Sequence, residues 1–139
     1  MVSFEKCMFF LPNRFFVQGK EAYVSFNIAS IPSDMIVTSM NLQIPLPAHQ
    51  TDLAILVQEI TTGWDESLMA GGYQPQHPLL INQLVSPAGE PEITVHLQHL
   101  QEKWRHDSLQ NHGVYIQLLS LEPCCFTEEQ PPYLLVSTV

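Results

Sequence analysis

Residues 22–46 read AYVSFNIASIPSDMIVTSMNLQIPL. Ala22, Val24, Phe26 and Ile28 alternate with Tyr23, Ser25 and Asn27. After the Pro32-Ser33-Asp34 turn, Met40, Leu42, Ile44 and Leu46 alternate with Ser39, Asn41 and Gln43. A period of two places alternate side chains on opposite faces of a strand, so both runs are expected to be strands with one buried face. Outward from this pair the pattern repeats. Residues 53–60 begin apolar on both faces, Ile93, Val95 and Leu97 alternate with Thr94 and His96, and Val114, Ile116 and Leu118 alternate with Tyr115 and Gln117. Residues 134–139 supply a closing strand. Eleven prolines and six glycines separate these runs, at Pro12-Asn13, Gly71-Gly72, Pro87-Ala88-Gly89 and Asn111-His112-Gly113. Residues 67–78 are expected to form one long irregular loop.

One segment departs from the period of two. Between residues 97 and 106, Leu97, Leu100 and Trp104 recur at steps of three and four with Gln, Glu and Lys between them, the stripe of a short amphipathic helix with Trp104 in the core. Many short strands with one late helix predict an all-β fold, an antiparallel, jelly-roll-like β-sandwich whose inner faces share one core. With 139 residues, 45% of them hydrophobic and 14% charged, the chain is expected to form a single domain over residues 1–139.

Charge narrows the function classes. Fourteen Asp and Glu against five Lys and Arg give a formal charge of −9, which supplies no positive field for a nucleic acid or an anionic membrane surface. The apolar runs at residues 7–11 and 53–57 are too short to cross a bilayer. Residues 1–16, MVSFEKCMFFLPNRFF, carry Glu5 and Lys6 and reach Pro12 after a brief apolar run, poor material for a secretory signal. The expected location is a cell or spore surface reached by a non-standard route, or otherwise the cytoplasm.

Candidate chemistry is sparse. Four of six histidines, His96, His99, His106 and His112, lie close together without the spacing of a metal template, so solvated surface histidines and no metal or cofactor are expected. Asp65-Glu66 and the Glu90/Glu92 pair resemble acid/base pairs by spacing alone, and residues 1–139 contain no Gly-x-Ser-x-Gly elbow, phosphate loop or His-Glu-x-x-His helix. A non-catalytic protein is expected. Trp64 and Tyr73, on the long loop, are candidate ligand-binding residues because an aromatic face can stack on a sugar ring. Cys7, Cys124 and Cys125 are odd in number, and neighbours in sequence seldom pair. Either all three are reduced thiols, or Cys7 bridges to Cys124 or Cys125 of a neighbouring subunit.

Residues 22–46 resemble the signature of the DNRLRE domain, a strand of the type A-Y-L-x-F-D-L, an S-x-I/L-P turn and V-T-S-A-x-L. ILVQEITTGWDESLM at residues 55–69 is similar to that family's strand ending in T-x-x-W-x-E, and Tyr73-Gln74-Pro75 stands where W-x-x-x-P is usual. ITVHLQHLQEKWRHDSLQNHGVYIQL at residues 93–118 resembles the strand, Trp-bearing helix and N-x-G strand, and PPYLLVSTV the closing P-Y-L-x-V strand. The likeness runs from about Lys20 to Val139. Residues 1–19 form a divergent N-terminal strand segment, Asn27 replaces a frequent Asp, and Thr127-Glu128-Glu129 replaces Ser-Arg-Glu. The resemblance implies a β-sandwich module, similar to carbohydrate-binding modules, of surface, adhesion and polysaccharide-associated proteins. The expected function is a structural or self-assembly subunit of a surface layer, such as a spore coat or an extracellular fibre, with homo-oligomers as the expected state. The alternative is a carbohydrate-binding or adhesion module that recognises a polysaccharide.

Overall fold

The computed structural model of the protein describes residues 6–139. Nine strands form two antiparallel sheets: β1 (Lys6–Phe10), β2 (Arg14–Gln18), β3 (Glu21–Ser25), β4 (Val37–Pro45), β5 (Leu53–Glu59), β6 (Leu79–Ser86), β7 (Glu92–His96), β8 (Val114–Leu119) and β9 (Tyr133–Thr138). The four-stranded sheet has the order β1-β9-β4-β7 and the five-stranded sheet β2-β3-β8-β5-β6. Only β2–β3 and β5–β6 are joined within one sheet, so every other connection crosses between the layers. The protein is thus an antiparallel β-sandwich.

The core follows from the alternation. Met40, Leu42 and Ile44 of β4 and Leu134 and Val136 of β9 face Val24, Ile55, Val57, Ile116 and Leu118 of the other sheet in one buried cluster. Trp104 closes it from α2 (Gln101–His106), which is preceded by a 3-10 turn at Gln98–Leu100. The expected helix over residues 97–106 therefore starts as a 3-10 turn, with Leu97 still paired to Met40 through a 2.8 Å backbone bond.

Three local expectations are corrected. The strand expected to continue to Ile28 ends at Ser25, and Ile28–Ser30 form a 3-10 turn. Its second face is not solvated: Tyr23 and Ser25 are as buried as Val24, because a further layer covers the outer side of the sheet. Within the divergent N-terminal strand segment 1–19, the described residues hold two strands, β1 and β2, in different sheets, and its first five residues lie outside the described residues. Residues 67–78 are not irregular throughout, since the one-turn helix α1 (Glu66–Ala70) is capped by the Asp65 carboxylate, which accepts from the Leu68 N–H at 2.7 Å.

Gly113 has a backbone reason. It sits at φ +83°, and a Cβ there would come within 2.0 Å of the Val24 carbonyl oxygen, so only glycine allows β8 to enter the sheet at this point.

Candidate functional site

The outer face of the five-stranded sheet can be built row by row from the strand register. Phe16, Tyr23, Tyr115, Gln58 and Leu80 lie side by side across it, and Gln18, Glu21, Gln117, Leu56 and Gln83 form the next row. Beyond these come Leu119, Ala54 and Val85. The face divides into a covered aromatic half and an open half.

The covered half is a second hydrophobic cluster of Tyr23, Ile60, Trp64, Met69 and Tyr115, with Phe16 against it. Tyr23 contacts Trp64 and Tyr115 at ring-centroid distances of 6.0 and 5.1 Å, and His77 stacks on Tyr115 at 3.8 Å. His77 Nδ1 donates to Gln58 Oε1 at 2.8 Å, which holds the imidazole in place. The Tyr115 hydroxyl donates to Glu21 at 2.6 Å. Burial, followed by that hydrogen bond, pushes its pKa well above the usual phenol range, so it remains an O–H donor.

Trp64 was expected to present its ring on an exposed loop, and the structure corrects this. Only 4% exposed, it donates Nε1–H to the His112 carbonyl at 2.7 Å, and its ring is packed under Arg14. A buried indole has no free face for a sugar ring. Tyr73 is exposed, yet its hydroxyl donates to the Gly63 carbonyl at 2.9 Å and so pins the loop. The two residues therefore do not form a joint platform. A shallow hollow of about 460 Å³ is lined by Gln58, Pro75, Gln76, His77 and Pro78 and by neither Trp64 nor Tyr73.

Arg14, which no motif singled out, organises this end of the sandwich. Its Nε donates to Ser25 Oγ at 2.8 Å, its Nη1 to the Trp64 carbonyl at 2.8 Å and its Nη2 to the Asn111 carbonyl at 2.9 Å. Burial lowers its pKa while Glu66 and Asp65 oppose the shift, and a guanidinium stays protonated in any case. Nearby, burial and then Arg14 lower the pKa of His112, so this imidazole is neutral at pH 7. Lys103 pairs with the buried carboxylate of Glu59. The candidate acids are engaged too: Asp65 caps α1, Glu66 accepts from the Phe15 N–H, and Glu92 accepts from the Tyr133 hydroxyl. Among the described residues, no group of three or more His, Cys, Asp or Glu is placed to hold a metal ion, and no helix is long and apolar enough to cross a membrane.

The open half differs in kind. Outside the aromatic cluster, the outward positions of β5, β6 and β8 are Ala54, Leu56, Leu80, Gln83, Val85, Gln117 and Leu119, all uncharged. Leu80 and Val85 are 62% and 63% exposed, and Leu79 and Leu119 are exposed beside them. β6 is also a sheet edge. The other three edges each carry a charge, Lys6 on β1, Arg14 on β2 and Glu92 on β7, whereas LLINQLVS of β6 carries none. Charge on an edge strand normally discourages pairing with another chain. Sequence reading missed β6, because its apolar residues do not alternate: one residue, Ile81, is extra where the register with β5 shifts.

Of the cysteines, Cys7 on β1 and Cys125 are exposed while Cys124 is buried at 6% exposure, and all three are free thiols. The expected intersubunit role of Cys124 is corrected accordingly, since its sulfur is packed in the main core with Phe126. β1 pairs along its length with β9 of its own chain, Cys7 opposite Ser137, which leaves one free edge.

Neither a family model nor a curated protein matches this chain.

Proposed function

We propose that the protein is a non-catalytic structural subunit that associates with further copies of itself through β6 and the uncharged sheet face beside it. The observation that carries this reading is the edge strand β6: eight residues without a charge, with Leu80 and Val85 exposed, in a chain of formal charge −9. Two such chains repel over most of their surface, so contact is least opposed where neither carries charge. Antiparallel pairing of β6 with its symmetry mate satisfies backbone groups that the edge leaves open, and places Leu80 and Val85 against apolar surface of the partner.

A contact of this kind is two-fold and closes as a dimer. Growth into a layer or fibre needs a second contact, for which the free edge of β1, with exposed Cys7, and the exposed Cys125 are suited. The resemblance of residues 22–46 to the DNRLRE signature supports a cell or spore surface as the location of such an assembly. Polysaccharide binding is the weaker reading, because Trp64 has no free ring face.

Sedimentation of the reduced protein over a rising concentration series tests the proposal. Dimers that dissociate when Val85 is replaced by Lys, with the circular dichroism unchanged, are expected. A wild-type protein that stays monomeric at about millimolar concentration, a Kd range in which association supplies only about 4 kcal/mol, overturns it.

A further inference from the structure

His49 lies between β4 and β5 and is only 5% exposed. Its Nδ1 is 2.9 Å from the Thr51 carbonyl oxygen and its Nε2 is 2.9 Å from the Glu90 carbonyl oxygen. A carbonyl oxygen only accepts, so both contacts are hydrogen bonds only when both ring nitrogens carry a proton, which makes the ring an imidazolium. In the neutral ring one nitrogen would turn a lone pair on a carbonyl oxygen, in a place where water has little access to intervene.

The surroundings suit a cation. Glu122, from the β8–β9 connection, accepts from the Gln50 N–H at 2.9 Å, the Thr51 N–H at 3.2 Å and the Thr51 hydroxyl, which holds a carboxylate beside the loop that carries His49. Asp52, on the same loop, accepts from the Ala88 N–H at 3.1 Å, and the His49 carbonyl accepts from the Gly89 N–H at 3.1 Å. Three connections, β4–β5, β6–β7 and β8–β9, thus meet around one ring.

We infer that His49 is a proton-dependent latch, whose imidazolium ties the β4–β5 loop to the β6–β7 turn and whose deprotonation gives up one of the two bonds. The proton lost goes to solvent and no other group changes state. The Thr51 carbonyl raises the His49 pKa most, burial opposes it, and the Glu90 carbonyl with the Glu122 and Asp52 carboxylates adds to the rise. The latch stands on this geometry alone and holds whether or not the protein self-associates.

Nitrogen-detected NMR of the wild-type protein, titrated from pH 5 to 10, tests it. Expected are two protonated ring nitrogens on His49 at the acid end, a midpoint above the ordinary histidine value of about 6.5, and a Gly89 amide shift that follows the same midpoint. Glu122→Gln, which removes the carboxylate's charge from beside the loop, is expected to move that midpoint down. His49→Gln is expected to abolish the Gly89 shift. A midpoint at or below about 6.5, a single protonated nitrogen at the acid end, or a Gly89 amide indifferent to the titration overturns the latch.

Discussion

The guanidinium carbon of Arg14 lies 5.1 Å from the centroid of the Trp64 ring, and its Nη1 donates to the carbonyl of the same residue at 2.8 Å. One side chain of β2 thereby holds both the ring and the backbone of a residue fifty positions later. Through Asn111 it also fixes the turn that enters β8. This joint turns the segment before α1 into a lid over Tyr23 and Tyr115.

Replacing Arg14 by Ala is expected to cost about 3 kcal/mol, because hydrogen bonds to a charged group are worth roughly 1.5–3 kcal/mol and the freed carbonyls lose their donor. Arg14→Lys restores the charge without the planar fork and is expected to recover less than half of the loss. Urea unfolding of both variants checks this. A loss below about 0.5 kcal/mol for Arg14→Ala contradicts it.

Trp104→Ala and Trp64→Ala are each expected to cost about 3–5 kcal/mol, as for other buried large aromatics. Trp64→Phe keeps most of the packing and removes the bond to the His112 carbonyl, for an expected loss of about 1 kcal/mol. Thermal unfolding gives the comparison. If Trp64→Ala is near neutral in stability while abolishing retention on a polysaccharide gel, the tryptophan is a binding residue after all.

Under oxidising conditions the protein is expected to form covalent dimers that reductant dissolves. Cys7→Ser or Cys125→Ser should diminish them, whereas Cys124→Ser should leave them intact, because that thiol is buried. Non-reducing electrophoresis reads the outcome. Dimers that vanish only with Cys124→Ser speak for a rearranged C-terminal region.

Stability is expected to fall as pH rises through the folded-state pKa of His49. The sign follows from the raised pKa: the folded state holds the proton more tightly, so the contribution is complete below the unfolded value of about 6.5 and disappears above the folded one. Melting temperatures at pH 6 and pH 9 for wild type and His49→Gln isolate the effect. The difference between the two proteins should shrink at the higher pH, and a difference that grows instead contradicts the assignment.

The sequence by itself determined the sandwich. In β4, β7 and β9 the two-residue alternation coincides with one buried face per strand, and the three- and four-residue stripe of Leu97, Leu100 and Trp104 marks the helix, since both signals are local and repeat within a few residues. What tertiary structure decided depends on contacts between distant residues. Trp64 reads as a loop aromatic until Arg14 and His112, 50 and 48 positions away, enclose it. β6 is hidden because the shift in its register with β5 breaks the alternation, and its status as an uncharged edge exists only once the sheet order is known. His49 carries no motif: the carbonyls that demand its second proton come from Thr51 and from Glu90, 41 residues on, and hydrogen-bond acceptors of the backbone leave no trace in side-chain identity.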